Sequence, residues 1–111
     1  EKDKAEVLLK LVIDRHADSP SAFNPLVAAA QTRLSRIYIS KKEYQKVLDA
    51  LSKTEVLTAS LFELKGDAEN ALGKYELARA SYMRALQNSP SQTSRALINM
   101  KISDLVGEKI E

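Results

Sequence analysis

Apolar residues return every three or four positions along most of this chain, the spacing of helices buried on one side. Val7, Leu8, Leu11 and Val12 form the first such stripe, with Asp3, Lys4, Lys10 and Asp14 outside it, and predict a helix from Lys4 to Ala17. Asp18, Ser19 and Pro20 end it. A second helix is predicted from Phe23 to Ser40, with Asn24 as N-cap and Pro25 in the first turn, where proline is welcome. Its inward positions are Leu26, Ala30, Leu34, Ile37 and Tyr38. Lys41 and Lys42 make a short loop to a third helix, Glu43 to Lys53. Further helices are predicted from Glu55 to Leu72, Tyr75 to Asn88 and Ser91 to Val106, the last ended by Gly107. No segment alternates in the manner of a strand. The pattern is that of an all-α protein of about six antiparallel helices.

The segment around residues 62–90 says how those helices meet. Gly66 lies inside a strong helical pattern, where it costs about 1 kcal/mol relative to alanine. A helix tolerates that loss where a neighbour must come close. Ala78 and Ala85 serve the same approach from the next helix, and Tyr82 shares their face. Gly73 suits a left-handed cap, Tyr75 is placed to plug the gap between the pair, and Pro90 stops the second helix. With Phe62, these residues stand at the spacings of a tetratricopeptide repeat, which LFELKGDAENALGKYELARASYMRALQNSP resembles throughout. The resemblance implies a right-handed solenoid of helix pairs whose concave face binds proteins.

A weaker copy precedes it. Aligning Tyr44 with Tyr75, thirty-one residues apart, puts Leu34 and Tyr38 at inward slots, Ser35 at the slot of Gly66, Val47 at that of Ala78 and Leu51 at that of Tyr82. The chain then divides into the second helix of an earlier repeat (1–20), a degenerate repeat (24–54), a well-formed repeat (59–90) and a capping helix (91–107). Groove-facing positions on the first helices are expected at Thr32, Arg36, Ser40, Glu63, Asp67 and Asn70. The plain alternative is that Arg36 and Asp67 are solvated or pair across neighbouring repeats. The set is mixed in sign and lacks the basic and asparagine residues with which some such domains clamp a C-terminal carboxylate. Val106 and Ile110 form a non-polar rim if the sixth helix meets another chain, and otherwise belong to a solubilising cap.

A closer resemblance rests on Gly66–Asp67, Gly73–Lys74, Ala78–Arg79 with Tyr82, and Met100–Lys101 followed by Asp104–Leu105. In this order, and with Thr32 to Ser40 and Tyr44 to Leu51 upstream, they are similar to the YfgM family of bacterial proteins over roughly residues 25–106. That resemblance implies an N-terminal anchor in the bacterial inner membrane, lying outside this chain, and a domain on the periplasmic side. It further implies partnership with the SecYEG translocon, a PpiD-like chaperone and exported clients. The alternative is a generic scaffold domain of a cell-envelope assembly lipoprotein. A homodimer is left open, because cut solenoid edges expose adhesive faces.

Composition narrows the chemistry. The 17 Lys and Arg against 15 Asp and Glu are dispersed, with no basic block to follow a phosphate backbone, so no nucleic-acid partner is expected. Cysteine is absent, which removes disulfides and thiolate metal sites and suits an oxidising compartment. His16, the single histidine, sits beside Asp14 and Asp18; a solvated imidazole is the expectation, a metal ligand the alternative. Asp67 and Glu69 point to different helix faces and make no catalytic dyad. The glycines of GDAENALG lie in a helix and its turn, not in a phosphate-binding loop. No enzyme, cofactor or metal is expected.

Overall fold

The computed structural model describes residues 2–16, 24–52 and 57–110, the last five as backbone alone. Six helices follow one another: α1 (Lys2–Arg15), α2 (Pro25–Ser40), α3 (Tyr44–Leu51), α4 (Ala59–Ala71), α5 (Tyr75–Asn88) and α6 (Gln92–Ile110). Among the described residues there is no strand. Each helix packs on the next, and α2 also touches α4, so the pairs stack in a rod of 43 × 28 × 22 Å.

Local chemistry accounts for the boundaries. The Asn24 side chain accepts from the backbone N–H of Leu26 and Val27, with Pro25 in the first turn, so α2 starts at Pro25 and not at Phe23. Thr58 is extended and accepts from the Leu61 N–H, which holds the start of α4 at Ala59, four residues after the predicted Glu55. The third helix is shorter than expected at both ends. Ser89 is held at φ −80°, ψ 128° before Pro90, and α5 ends at Asn88. Gly107 does not end α6, which continues to Ile110. A glycine costs a helix about 1 kcal/mol without forbidding it. The breaker Asp18–Pro20 lies outside the described residues, as do the side chains of Val106 and Ile110.

One turn occurs twice, thirty-one residues apart. After α4, Gly73 takes φ 79°, its N–H reaches the Asn70 carbonyl and the Lys74 N–H reaches the Glu69 carbonyl. After α2, Lys42 takes φ 61°, with Lys42 N–H on Ile39 and Glu43 N–H on Tyr38. Both turns satisfy the last carbonyls of their helix. The difference is cost, since a left-handed conformation penalises a side chain by about 1–2 kcal/mol and glycine hardly at all. Lys42→Gly should therefore stabilise the chain by about 0.5–1 kcal/mol, the gain being trimmed by the entropy of an unfolded glycine. A thermal or urea midpoint that falls would contradict this.

The core is continuous. Leu34 and Tyr38 of α2, Val47 and Leu51 of α3, Leu61 and Phe62 of α4, Ala78, Tyr82 and Ala85 of α5, and Ile98 and Leu105 of α6 form one buried cluster. Gly66 sits against Tyr82 so closely that a Cβ there would stand 2.6 Å from the ring. Ser35, at the corresponding place in α2, is buried with a hydroxyl that has no partner among the described residues, so smallness is what the position uses.

Several expected faces turn differently. In α1, Val7, Leu8 and Leu11 are exposed, and Leu9 and Ile13 pack on the core instead. The inner side of α1 is diluted by Glu6 and His16, which makes the outer side the more apolar one. Leu26 is exposed, because the inward line of α2 runs Val27, Ala30, Leu34, Tyr38 and leaves its first turn at the rim. Tyr75 is only partly covered and does not plug the gap between α4 and α5.

Candidate partner-binding face

Six positions on α2 and α4 were expected to line a groove, and the fold treats them in three ways. Thr32 donates its hydroxyl to the Ala28 carbonyl at 2.8 Å, and Ser40 donates to Ile37 at 2.8 Å while accepting from Lys2 of α1 at 2.7 Å. These hydroxyls are already engaged. Glu63 and Asp67 are half-buried and clasp Lys101 of α6, with Nζ at 2.7 Å from Glu63 Oε2 and 3.0 Å from Asp67 Oδ1. Arg36 is exposed and Asn70 half-buried, and the side chains of both lack partners among the described residues. Among the described residues, Arg36 and Asn70 are therefore the two positions of the set whose side chains are not already engaged.

The Lys101 clasp is the densest polar feature. Tyr82 Oη donates to Asp67 Oδ1 at 2.6 Å, and the Lys101 ammonium stands 5.9 Å from the centre of the Tyr82 ring. Burial, then the hydrogen bond and charge of Asp67, push the Tyr82 hydroxyl well above its ordinary pKa. Burial pulls Lys101 the other way, but the contacts with Glu63 and Asp67 outweigh it and leave the ammonium above its usual value. One cation thus ties α6 to α4 through two carboxylates and a tyrosine from α5.

A second polar cluster stands at the other end of the rod. Tyr38 Oη donates to Glu6 Oε2 at 3.2 Å, Lys10 pairs with Glu6 at 3.0 Å, and Lys41 lies 3.2 Å from Asp3 and 3.6 Å from Glu6. The Lys10 hydrogen bond leads the influences that hold the Glu6 carboxyl below its ordinary range. A third feature is an open cleft lined by Leu48, Ser52, Leu57, Phe62, Lys65, Glu69 and Arg84. Its floor carries the buried Glu69, which accepts from Ser81 at 2.6 Å, and the Arg84 guanidinium lies 4.8 Å from the Phe62 ring centre. Asp67 and Glu69 bind different partners on different sides of α4, which is no arrangement for shared proton transfer.

Sequence reasoning named Lys101 only within the YfgM resemblance and Glu69 only in excluding a catalytic dyad, and it did not single out Glu6. Lys101 had a signal: it interrupts the inward stripe Ile98, Ile102, Leu105, and a lysine there needs a carboxylate from another helix. Glu69 had none beyond its neighbours. Among the described residues no three His, Cys, Asp or Glu side chains gather as metal ligands, and no helix is long and apolar enough to cross a membrane.

A family model described as a tetratricopeptide repeat-like domain matches residues 1–107. No curated protein matches the chain, and no solved structure does.

Proposed function

The chain belongs to the tetratricopeptide repeat-like domain family, and from that premise we propose that it works as a protein-binding module of the bacterial Sec translocon and its periplasmic chaperones. Domains of this family bind other proteins through the surfaces of stacked helix pairs. The finer reading places the module on the periplasmic side of the inner membrane, held by an anchor outside this chain, with SecYEG, a PpiD-like chaperone and exported chains as partners. One observation carries it. The residues on which the YfgM resemblance rests are not scattered: Gly66 admits Tyr82, Tyr82 bonds Asp67, and Lys101 locks Asp67 to the closing helix. These residues, spread over three helices, meet in one physical joint, and that joint is what supports the reading.

The test uses the two open positions. A photocrosslinking residue at Arg36 or Asn70, in the protein in its native envelope, should trap SecYEG, a PpiD-like chaperone or a protein in export. Recovery of cytosolic partners alone, or of outer-membrane or pilus assembly factors alone, would overturn the translocon reading.

A further inference from the structure

The third helix is short for the place it fills. With Tyr44 aligned on Tyr75, α3 has 8 residues and ends at Leu51, whereas α5 has 14 and runs to Asn88. Where α3 stops, at Leu48 and Ser52, the side of α4 is left open as a cleft of about 540 Å³. It lies within the stack, bounded by α3, α4 and α5, and owes nothing to either end of the chain. Phe62, Lys65 and Glu69 face it from α4 at steps of three and four residues, turned away from the face of Glu63, Asp67 and Asn70.

What a ligand meets in this cleft is positive. Glu69 is 3% exposed, and its carboxylate accepts from the Ser81 hydroxyl at 2.6 Å, with Lys65 Nζ 3.7 Å away. The two cations are the reachable charges. Lys65 is 34% exposed. Arg84 is exposed as well, lies 4.8 Å from the Phe62 ring centre, and has no carboxylate partner among the described residues. Stacking on the ring steadies a guanidinium and leaves its N–H edge for a carboxylate, which it can grip through two parallel hydrogen bonds. A cationic ligand would have to pass Lys65 and Arg84 to reach Glu69. Leu48, Leu57 and Phe62 add apolar wall beside the cations. Because the cleft is open, it cannot enclose most of a small molecule's surface, and it suits side chains carried in on a polypeptide.

We infer that the cleft between α3, α4 and α5 binds an acidic side chain of a partner protein. The carboxylate meets Arg84 and Lys65, and a leucine-like neighbour lies against Leu48, Leu57 and Phe62. The inference rests on the reading of the chain as a protein-binding module but not on which proteins it serves. Crosslinking from Arg36 or Asn70 reports on a different face, so failure there and failure here are separate results.

The probe is the blocked peptide acetyl-Ser-Leu-Glu-Leu-Ser-amide, titrated into the isotope-labelled chain and followed by NMR. Amide signals of Leu48, Ser52, Phe62, Lys65 and Arg84 should move together, with a Kd on the order of 1 mM for so small a contact. The same peptide with Gln in place of Glu should bind about fivefold more weakly, and with Lys in that place weaker still. Arg84→Gln, at an exposed position and with circular dichroism to show that the fold is kept, should weaken the Glu peptide about fivefold. No movement of the cleft signals up to about 10 mM peptide would overturn the inference. Equal affinity for the three peptides would do the same, and so would parental affinity in a folded Arg84→Gln chain. Tightest binding of the Lys peptide would make Glu69 the group that reads the ligand, against the inference. A Glu55→Gln chain that binds the Glu peptide more than about tenfold tighter than the parent would assign the cleft to the chain's own carboxylate and also overturn it.

Discussion

Gly66→Ala is expected to destabilise the chain by about 1–3 kcal/mol, although alanine is the better helix former by about 1 kcal/mol. The added Cβ would stand 2.6 Å from Tyr82 Cε1 and 2.7 Å from Cδ1, distances that no packed methyl tolerates. Tyr82 is 1% exposed and its hydroxyl is held by Asp67, so the ring has no free direction in which to retreat. Relief must come from moving α4 away from α5, which loosens the tightest joint of the fold. A double-mutant cycle separates the clash from propensity. In a Tyr82→Leu background the ring is gone, and Gly66→Ala should then stabilise by up to about 1 kcal/mol. Urea unfolding of the four proteins checks the reversal. The same sign in both backgrounds would show that the close approach does not set the cost.

That joint was also the most legible part of the sequence. Gly66, Ala78 and Ala85 carry information because small residues in a helix interior need a reason, and here the reason is a neighbouring backbone or ring. The ends of α5 could be read for a similar cause: Gly73 and Pro90 act through local sterics, which do not depend on the rest of the fold. Gly107 shows the limit of that rule. A glycine permits a helix to end, but α6 continues through it. The rotation of α1 was misread because hydrophobicity marks a stripe without saying what covers it. Val7, Leu8 and Leu11 make the more apolar side, yet α2 takes the side carrying Glu6, where Tyr38 and Lys41 supply partners for the carboxylate. The groove was legible only as helical phase. Glu63 and Asp67 have their cation on α6, thirty-four residues beyond Asp67, and nothing local to α4 announces it.

The last of these contacts governs how the chain should respond to alkali. Lys101→Met is expected to cost on the order of 1–2 kcal/mol at neutral pH, since it leaves two half-buried carboxylates side by side on one face of α4 without their cation. Tyr82→Phe should cost less, because Asp67 keeps Lys101. The pH dependence has a definite sign. The Tyr82 hydroxyl and the Lys101 ammonium both hold their protons more tightly in the folded chain than in the unfolded one. Their contribution is complete below the ordinary tyrosine and lysine range and is lost as pH rises through the raised folded values. Tyr38, raised chiefly by burial, adds to the same trend from the other end of the rod. Urea midpoints should therefore hold near pH 8 and fall above about pH 10, and the fall should be shallower in Tyr82→Phe and in Lys101→Met than in the parent. If both variants kept the parent's full alkaline loss, the clasp between α4, α5 and α6 could not be its source. The joint would then owe its strength to the fit of Tyr82 over Gly66 alone.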